Sequence, residues 1–217
     1  MNDSFWKVLI MLNLAVIAGC GSFAPSKPQG FTYQQIPVTT ETAKSGNEST
    51  ILFRGTPLPL SGSAISVGET LRTAPLATQD LSLIDLTDRT GTVKVISIVP
   101  SLDTKVCEQQ THYLSEKNEG LDKQVTLITI SIDTPFAQKR FAEEANISNV
   151  EFLSDFRGGD FGEAHGLLLP GPHVLSRSVM VVDTQNTIRH LQITPDLGQL
   201  PDMDEAFRVA KALAEKG

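Results

Sequence analysis

VKVISIVPSLDTKVC, residues 93–107, governs how the rest of the chain is read. Its first seven residues are dominated by valine and isoleucine, whose branched Cβ restricts χ1 and suits an extended, packed strand. Pro100 ends that strand because it has no N–H to give to a neighbour. Ser101-Leu102-Asp103 form a short polar link, and from Thr104 the run KVCEQQTHYLSEKNE predicts a helix that stops at Gly120. Cys107 then falls in the first turn of a helix that leaves a buried strand. Backbone N–H groups there lack intrahelical acceptors, and the positive end of the helix dipole favours a thiolate.

Outward from this unit the same alternation continues. Residues 124–131 (QVTLITIS) predict a second strand, and Thr134-Pro135 supply an N-cap and a first-turn proline for the helix PFAQKRFAEEA. A short strand at 150–153 and a helical turn at 161–165 follow. Residues 178–183 and 187–193 flank Asp183-Thr184-Gln185-Asn186 and predict a hairpin, after which Met203, Phe207, Ala210 and Leu213 mark one stripe of a closing helix. Upstream, 51–54 and 58–60 predict a hairpin across Gly55-Thr56-Pro57, and 81–86 a further strand. Strand-helix-strand-helix followed by strand-strand-helix describes an α/β chain of thioredoxin-like fold. A central mixed sheet is flanked by helices, with a β-hairpin at the N-terminal side.

The chain has 217 residues, 40% of them hydrophobic, a formal charge of −7 and no block of Lys or Arg. One domain with extensions fits this length, and nucleic acid is a poor partner for this charge. The four histidines and two cysteines show no metal-ligand spacing, and no metal or organic cofactor is expected. Residues 1–19 have the apolar core of a signal peptide, too short to span a membrane, and Ile17-Ala18-Gly19-Cys20 resembles the bacterial lipobox. That resemblance implies removal of 1–19, acylation of Cys20 and attachment to a membrane on its extracytoplasmic side. Gly21 hints at the outer membrane where two membranes exist. Removal takes one acid and one base, Asp3 and Lys7, so the charge stays at −7 and the grip would come from lipid. Residues 20–50 are rich in Ser, Thr, Gln, Pro and Gly without apolar periodicity and read as a lipidated N-terminus and flexible tether, which leaves 51–217 as the folded domain.

With Cys20 committed, Cys107 is the single thiol of the processed chain. The spacing Thr104-Lys105-Val106-Cys107 puts a hydroxyl where a CxxC redox pair would have its first sulfur, so local dithiol exchange is excluded. Pro100 to Cys107 matches the PxxxTxxC pattern of peroxiredoxins. Together with Gln110-Thr111, SIDTPFAQKRF (131–141), LSDFR (153–157) and SRSVMVVD (176–183), the chain resembles their thiol peroxidase (Tpx-type) subgroup from residue 51 onward. The resemblance implies that Cys107 attacks the peroxide O–O bond and becomes a sulfenic acid. Thr104 would hold thiolate and peroxide oxygen, Arg177 would face the sulfur from the other side, and Pro100 would shield the pocket from water.

Ionisation alone would not make a peroxidase. A thiol of pKa ~8.5 is about 3% ionised at pH 7 and one near 6 about 90%, a gain of about thirtyfold, partly returned as lost nucleophilicity. The remainder requires donors aimed at charge developing as O–O breaks. Each residue also has a plainer reading: Cys107 as core filler, Thr104 as an N-cap only, Arg177 as a surface charge, and Arg157 as a pocket cation or an ion-pair partner.

Tpx-type relatives carry a resolving cysteine in the PFAQxRFC helix, where this chain has Ala142. The expected cycle therefore uses one cysteine and an external thiol or thioredoxin-like reductant, acting on hydrogen peroxide or organic hydroperoxides. A homodimer is the family expectation. The alternative is an anchored interaction module or peroxide sensor with little turnover.

Overall fold

Residues 30–216 are described by the structure, a computed structural model. After β1 (Val38–Thr39), the expected hairpin forms as β2 (Thr50–Phe53) and β3 (Thr56–Pro59), turning at Arg54 and Gly55, both left-handed (φ 51° and 80°). A second hairpin, β4 (Pro75–Ala77) with β5 (Leu83–Asp85), was foreseen only in its second strand. The 93–107 stretch becomes β6 (Lys94–Ile98) and the start of α1 (Lys105–Glu116). β7 (Thr126–Ser131), α2 (Pro135–Glu144), β8 (Glu151–Ser154) and α3 (Asp160–His165) follow in the expected order. Two short strands, β9 (Leu168–Leu169) and β10 (Val174–Leu175), precede the hairpin β11 (Ser178–Val182) and β12 (Ile188–Ile193). The chain closes with β13 (Leu200–Pro201) and α4 (Met203–Ala214).

Seven strands form one mixed sheet in the order β12-β11-β6-β7-β8-β4-β5. β6, β7 and β8 run parallel, and the flanking pairs are antiparallel. This is the thioredoxin-like architecture expected from element order. Because side chains alternate across a strand, each central strand feeds two cores. Val95 and Val99 with Leu127 and Phe152 pack under α1, α2 and α4. Ile96 and Ile98 with Ile128, Ile130 and Leu153 pack on the other face with Phe161, Leu167 and the N-terminal hairpin. Each such fully buried side chain contributes about 1.5–3 kcal/mol. With both faces covered, the β6 run has no polar side to show, as its near-continuous apolar sequence required.

The expected tether needs correction over residues 31–49. Its earlier part, with Cys20 and the apolar leader, lies outside the described residues. From Phe31 the chain is a strap laid on the domain. Phe31 stacks on His112 of α1 with ring centroids 3.9 Å apart. The Tyr33 hydroxyl donates to Glu116 at 2.9 Å, and Lys117 lies 5.0 Å from the Tyr33 ring. Gln34 and Gln109 exchange two hydrogen bonds, backbone N–H to Oε1 at 2.7 Å and Nε2–H to backbone O at 3.0 Å. β1 pairs in parallel with β13. Further on, Gly46 and Gly166, both left-handed (φ 91° and 64°), approach so closely that a Cβ on Gly166 would fall 2.4 Å from Gly46 N. Polar composition hid this segment because it packs through single aromatic rings and backbone pairing, which leave no periodic pattern.

Candidate active site

Cys107 is the third residue of α1, and the strand β6 fixes where that helix begins. Thr104 is the N-cap by backbone, extended at φ −132° and ψ 142°, but its side chain caps no N–H. The hydroxyl instead lies 2.9 Å from Cys107 Sγ, as donor, and 3.2 Å from the Ser101 carbonyl oxygen. Having one proton, it serves one of these acceptors at a time. The plain N-cap reading thus describes the backbone of Thr104 and misses its side chain.

Arg177, just before β11, approaches the sulfur from the sheet side. Its Nη2–H donates to Sγ at 3.4 Å, Nη1–H to Gln110 Oε1 at 2.9 Å and Nε–H to the Leu197 carbonyl at 3.0 Å. Arg177 is 2% exposed, so it is no surface charge. Among the described residues it has no carboxylate partner. A buried cation whose other acceptors are neutral oxygens is stabilised by an anion placed on its remaining N–H groups, and the sulfur occupies that place.

Gln110 completes the constellation, a residue quoted in the sequence pattern but given no role there. One turn along α1 from Cys107, it is fully buried and donates through Nε2 to Ser97 Oγ (2.9 Å) and to the Ser178 carbonyl (3.2 Å). These bonds orient its Oε1 toward Arg177. Gln109 to Thr111, three consecutive polar residues of α1, are all buried, and sequence alone gives no sign of that.

Cys107 exposes no surface. Its packing with Val99, Leu102 and Leu114 fits the core-filler reading in part. A filler thiol, however, does not collect a hydroxyl and a guanidinium. The layer over the sulfur is thin, since Thr104, whose oxygen touches it, is an exposed residue. Pro100 is buried at the end of β6. Arg157 is exposed and makes no ion pair among the described residues, so it is neither the pocket cation nor the ion-pair partner considered for it. Ala142 is partly buried against the core that contains Cys107. Among the described residues no three His, Cys, Asp or Glu side chains are placed to hold a metal ion.

Comparison with known proteins converges on one group. The family model described as Redoxin matches residues 57–207. A thiol peroxidase of Streptococcus pneumoniae is 40% identical over 163 residues, 75% of this chain and 99% of that one. A thiol peroxidase of Halalkalibacterium halodurans is 35% identical over 164 residues, 76% of this chain and 98% of that one. The crystal structure of a peroxiredoxin-like protein from Aquifex aeolicus superimposes with a TM-score of 0.69 at 36% identity, covering 76% of this chain and 96% of that one.

Proposed function

The chain belongs to the Redoxin family, as a peroxiredoxin of the thiol peroxidase type, and from that premise we propose that Cys107 reduces hydrogen peroxide and organic hydroperoxides by a one-cysteine cycle. The observation that carries this reading is the pair of donors on one sulfur: the Thr104 hydroxyl at 2.9 Å and the buried, otherwise unneutralised Arg177 at 3.4 Å. In the first step Sγ, as thiolate, attacks one peroxide oxygen. The S–O bond forms as O–O breaks, two electrons pass from sulfur to oxygen, and the departing oxygen takes a proton to leave as water or alcohol. Charge moves from sulfur to that oxygen during the step. Thr104, Arg177 and the uncapped first-turn N–H groups of α1 are the donors available to follow it. Pro100 helps to keep bulk water out.

The second half of the cycle follows from Ala142. With no other thiol in the processed chain, an external thiol condenses with the sulfenic acid, releases water and forms a mixed disulfide. A second thiol then restores Cys107 and leaves as the oxidised disulfide. An unresolved sulfenic acid is exposed to further oxidation to sulfinic acid. Residues 1–19 are proposed as a lipoprotein signal peptide and Cys20 as the acylated anchor, on the extracytoplasmic side of a bacterial membrane. Among the described residues no helix is long and apolar enough to cross a membrane. A homodimer accords with the family.

Burial of the sulfur and loss of the resolving cysteine favour a second reading, a peroxide sensor or interaction module with little turnover. Stopped-flow peroxide consumption by wild type and Cys107→Ser, with a supplied thiol, separates the two. The peroxidase reading expects a rate constant orders of magnitude above that of free cysteine, lost entirely in the variant. A rate no faster than free cysteine would leave the sensor.

A further inference from the structure

The link between β6 and α1 is held by a residue from outside it. Asp133, in the turn from β7 to α2, accepts the Ser101 hydroxyl at Oδ1 (2.7 Å) and the Leu102 backbone N–H at Oδ2 (2.7 Å). Ser101 Oγ in turn accepts the Asp103 N–H at 3.3 Å, and the Ser101 carbonyl lies 3.2 Å from the Thr104 hydroxyl. Residues 101–103 are thus tied to this carboxylate, directly or through Ser101, and they set the backbone position of Thr104, whose hydroxyl proton goes either to the Ser101 carbonyl or to the sulfur. The backbone of Asp133 is itself braced, its carbonyl accepting the Ser154 hydroxyl at the end of β8. Among the described residues Asp133 has no ion pair, and the cap of α2 is Thr134, whose hydroxyl accepts the Ala137 N–H. Among the described residues the carboxylate therefore serves the 101–104 link alone.

We propose that Asp133 is a positioning residue that latches the cover of Cys107, holding the Thr104 hydroxyl on the sulfur and limiting access to it. This deepens the peroxidase reading and rests on it. The sulfur exposes no surface, while Thr104 beside it is exposed, so every co-reactant reaches Sγ by displacing part of 101–104, and a bulky thiol needs a wider opening than a peroxide. The latch then acts oppositely on the two halves of the cycle. It favours attack on peroxide, which needs the hydroxyl in register, and opposes attack by a bulky thiol on the sulfenic acid, which needs the cover lifted. A residue that merely stabilised the fold would slow both.

The test uses the full chain as wild type, Asp133→Asn and Ser101→Ala, the last removing one of the two bonds should the first fail to fold. Three rates are measured: Cys107 with hydrogen peroxide, its preformed sulfenic acid with thionitrobenzoate, and the reduced thiol with the aromatic disulfide DTNB, scored on the Cys107 peptide by mass spectrometry. The peroxide rate is expected to fall about fivefold in Asp133→Asn, less than on deleting the hydroxyl it positions, and by less still in Ser101→Ala, while both aromatic reagents react faster. Unchanged rates, or all three falling together, overturn the latch. A wild type inert to peroxide refutes the peroxidase reading instead, and DTNB labelling still decides whether Asp133 controls access.

Discussion

Two buried polar clusters, one on each face of the sheet, differ in a way that separates architecture from chemistry. On the α3 side, Asp155 accepts the Phe161 and Gly162 N–H groups at 3.0 and 2.9 Å, one on each oxygen. His165 donates from Nδ1 to the Phe161 carbonyl (2.8 Å) and accepts the Arg72 N–H at Nε2 (3.1 Å), which fixes its tautomer. Both side chains have partners inside the protein, and none of their polar atoms waits for a ligand. On the α1 side, Arg177 spends two of its nitrogens on carbonyl oxygens and turns the third to a sulfur. A fully partnered buried cluster holds a fold together. One with an unneutralised charge beside a nucleophile has capacity left for a reacting molecule.

The largest effect expected from breaking this contrast is on Arg177. Arg177→Met should lower the bimolecular peroxide rate constant by about 10²–10³, the range for removing one donor to a transition-state charge. Thermal stability should change little, because relief of a costly buried cation offsets the Leu197 carbonyl and Gln110 Oε1 left without a donor. A rate within twofold of wild type would place the cation outside the reaction.

The opposite cluster should answer in stability alone. Burial pushes His165 down to about 4 and Asp155 up to about 6, the latter against two backbone N–H groups that favour its charged form. A histidine held neutral in the fold binds fewer protons than the unfolded chain between pH 6.5 and 4, so its contribution is present at neutral pH and lost as pH falls. A carboxyl with a raised value works in reverse, stabilising as pH falls from about 6 toward 4, and the two largely offset each other. His165→Gln should remove the first and leave the second. The stability difference between wild type and variant should then shrink, in favour of the variant, by about 3 kcal/mol between pH 7 and pH 4. Urea unfolding across that range measures it; a difference independent of pH would contradict the assignment, and so would a changed peroxide rate at pH 7.

Thr104→Val is the gentlest probe. It keeps the shape and removes the hydroxyl, and should cost about tenfold in the peroxide step, the worth of about one hydrogen bond, with Thr104→Ser close to wild type. Equal losses in both would assign the threonine to packing.

The central strands were legible because β-branched runs bounded by proline and polar links have few other uses, and Pro100, Thr104, Cys107 and Arg177 because they sit in a recognisable pattern. Gln110 and Asp133 were visible as letters but mute as roles, since their partners lie across the fold: Gln110 meets Arg177 67 positions away and Asp133 meets Ser101 32 positions away. β4, β9, β10 and β13, of two or three residues, are too short to carry a period. The strap escaped for the same reason, its Gln34 finding Gln109 75 positions on.

That strap shortens any leash to a lipid bilayer. With Phe31 seated on α1, an acylated Cys20 would be separated from the folded body by residues 21–30 alone, a reach of at most about 35 Å at full stretch, against roughly 100 Å had the whole of 21–50 been free. With Cys20 acylated as proposed, the point where the strap begins would stay within that reach of the headgroups.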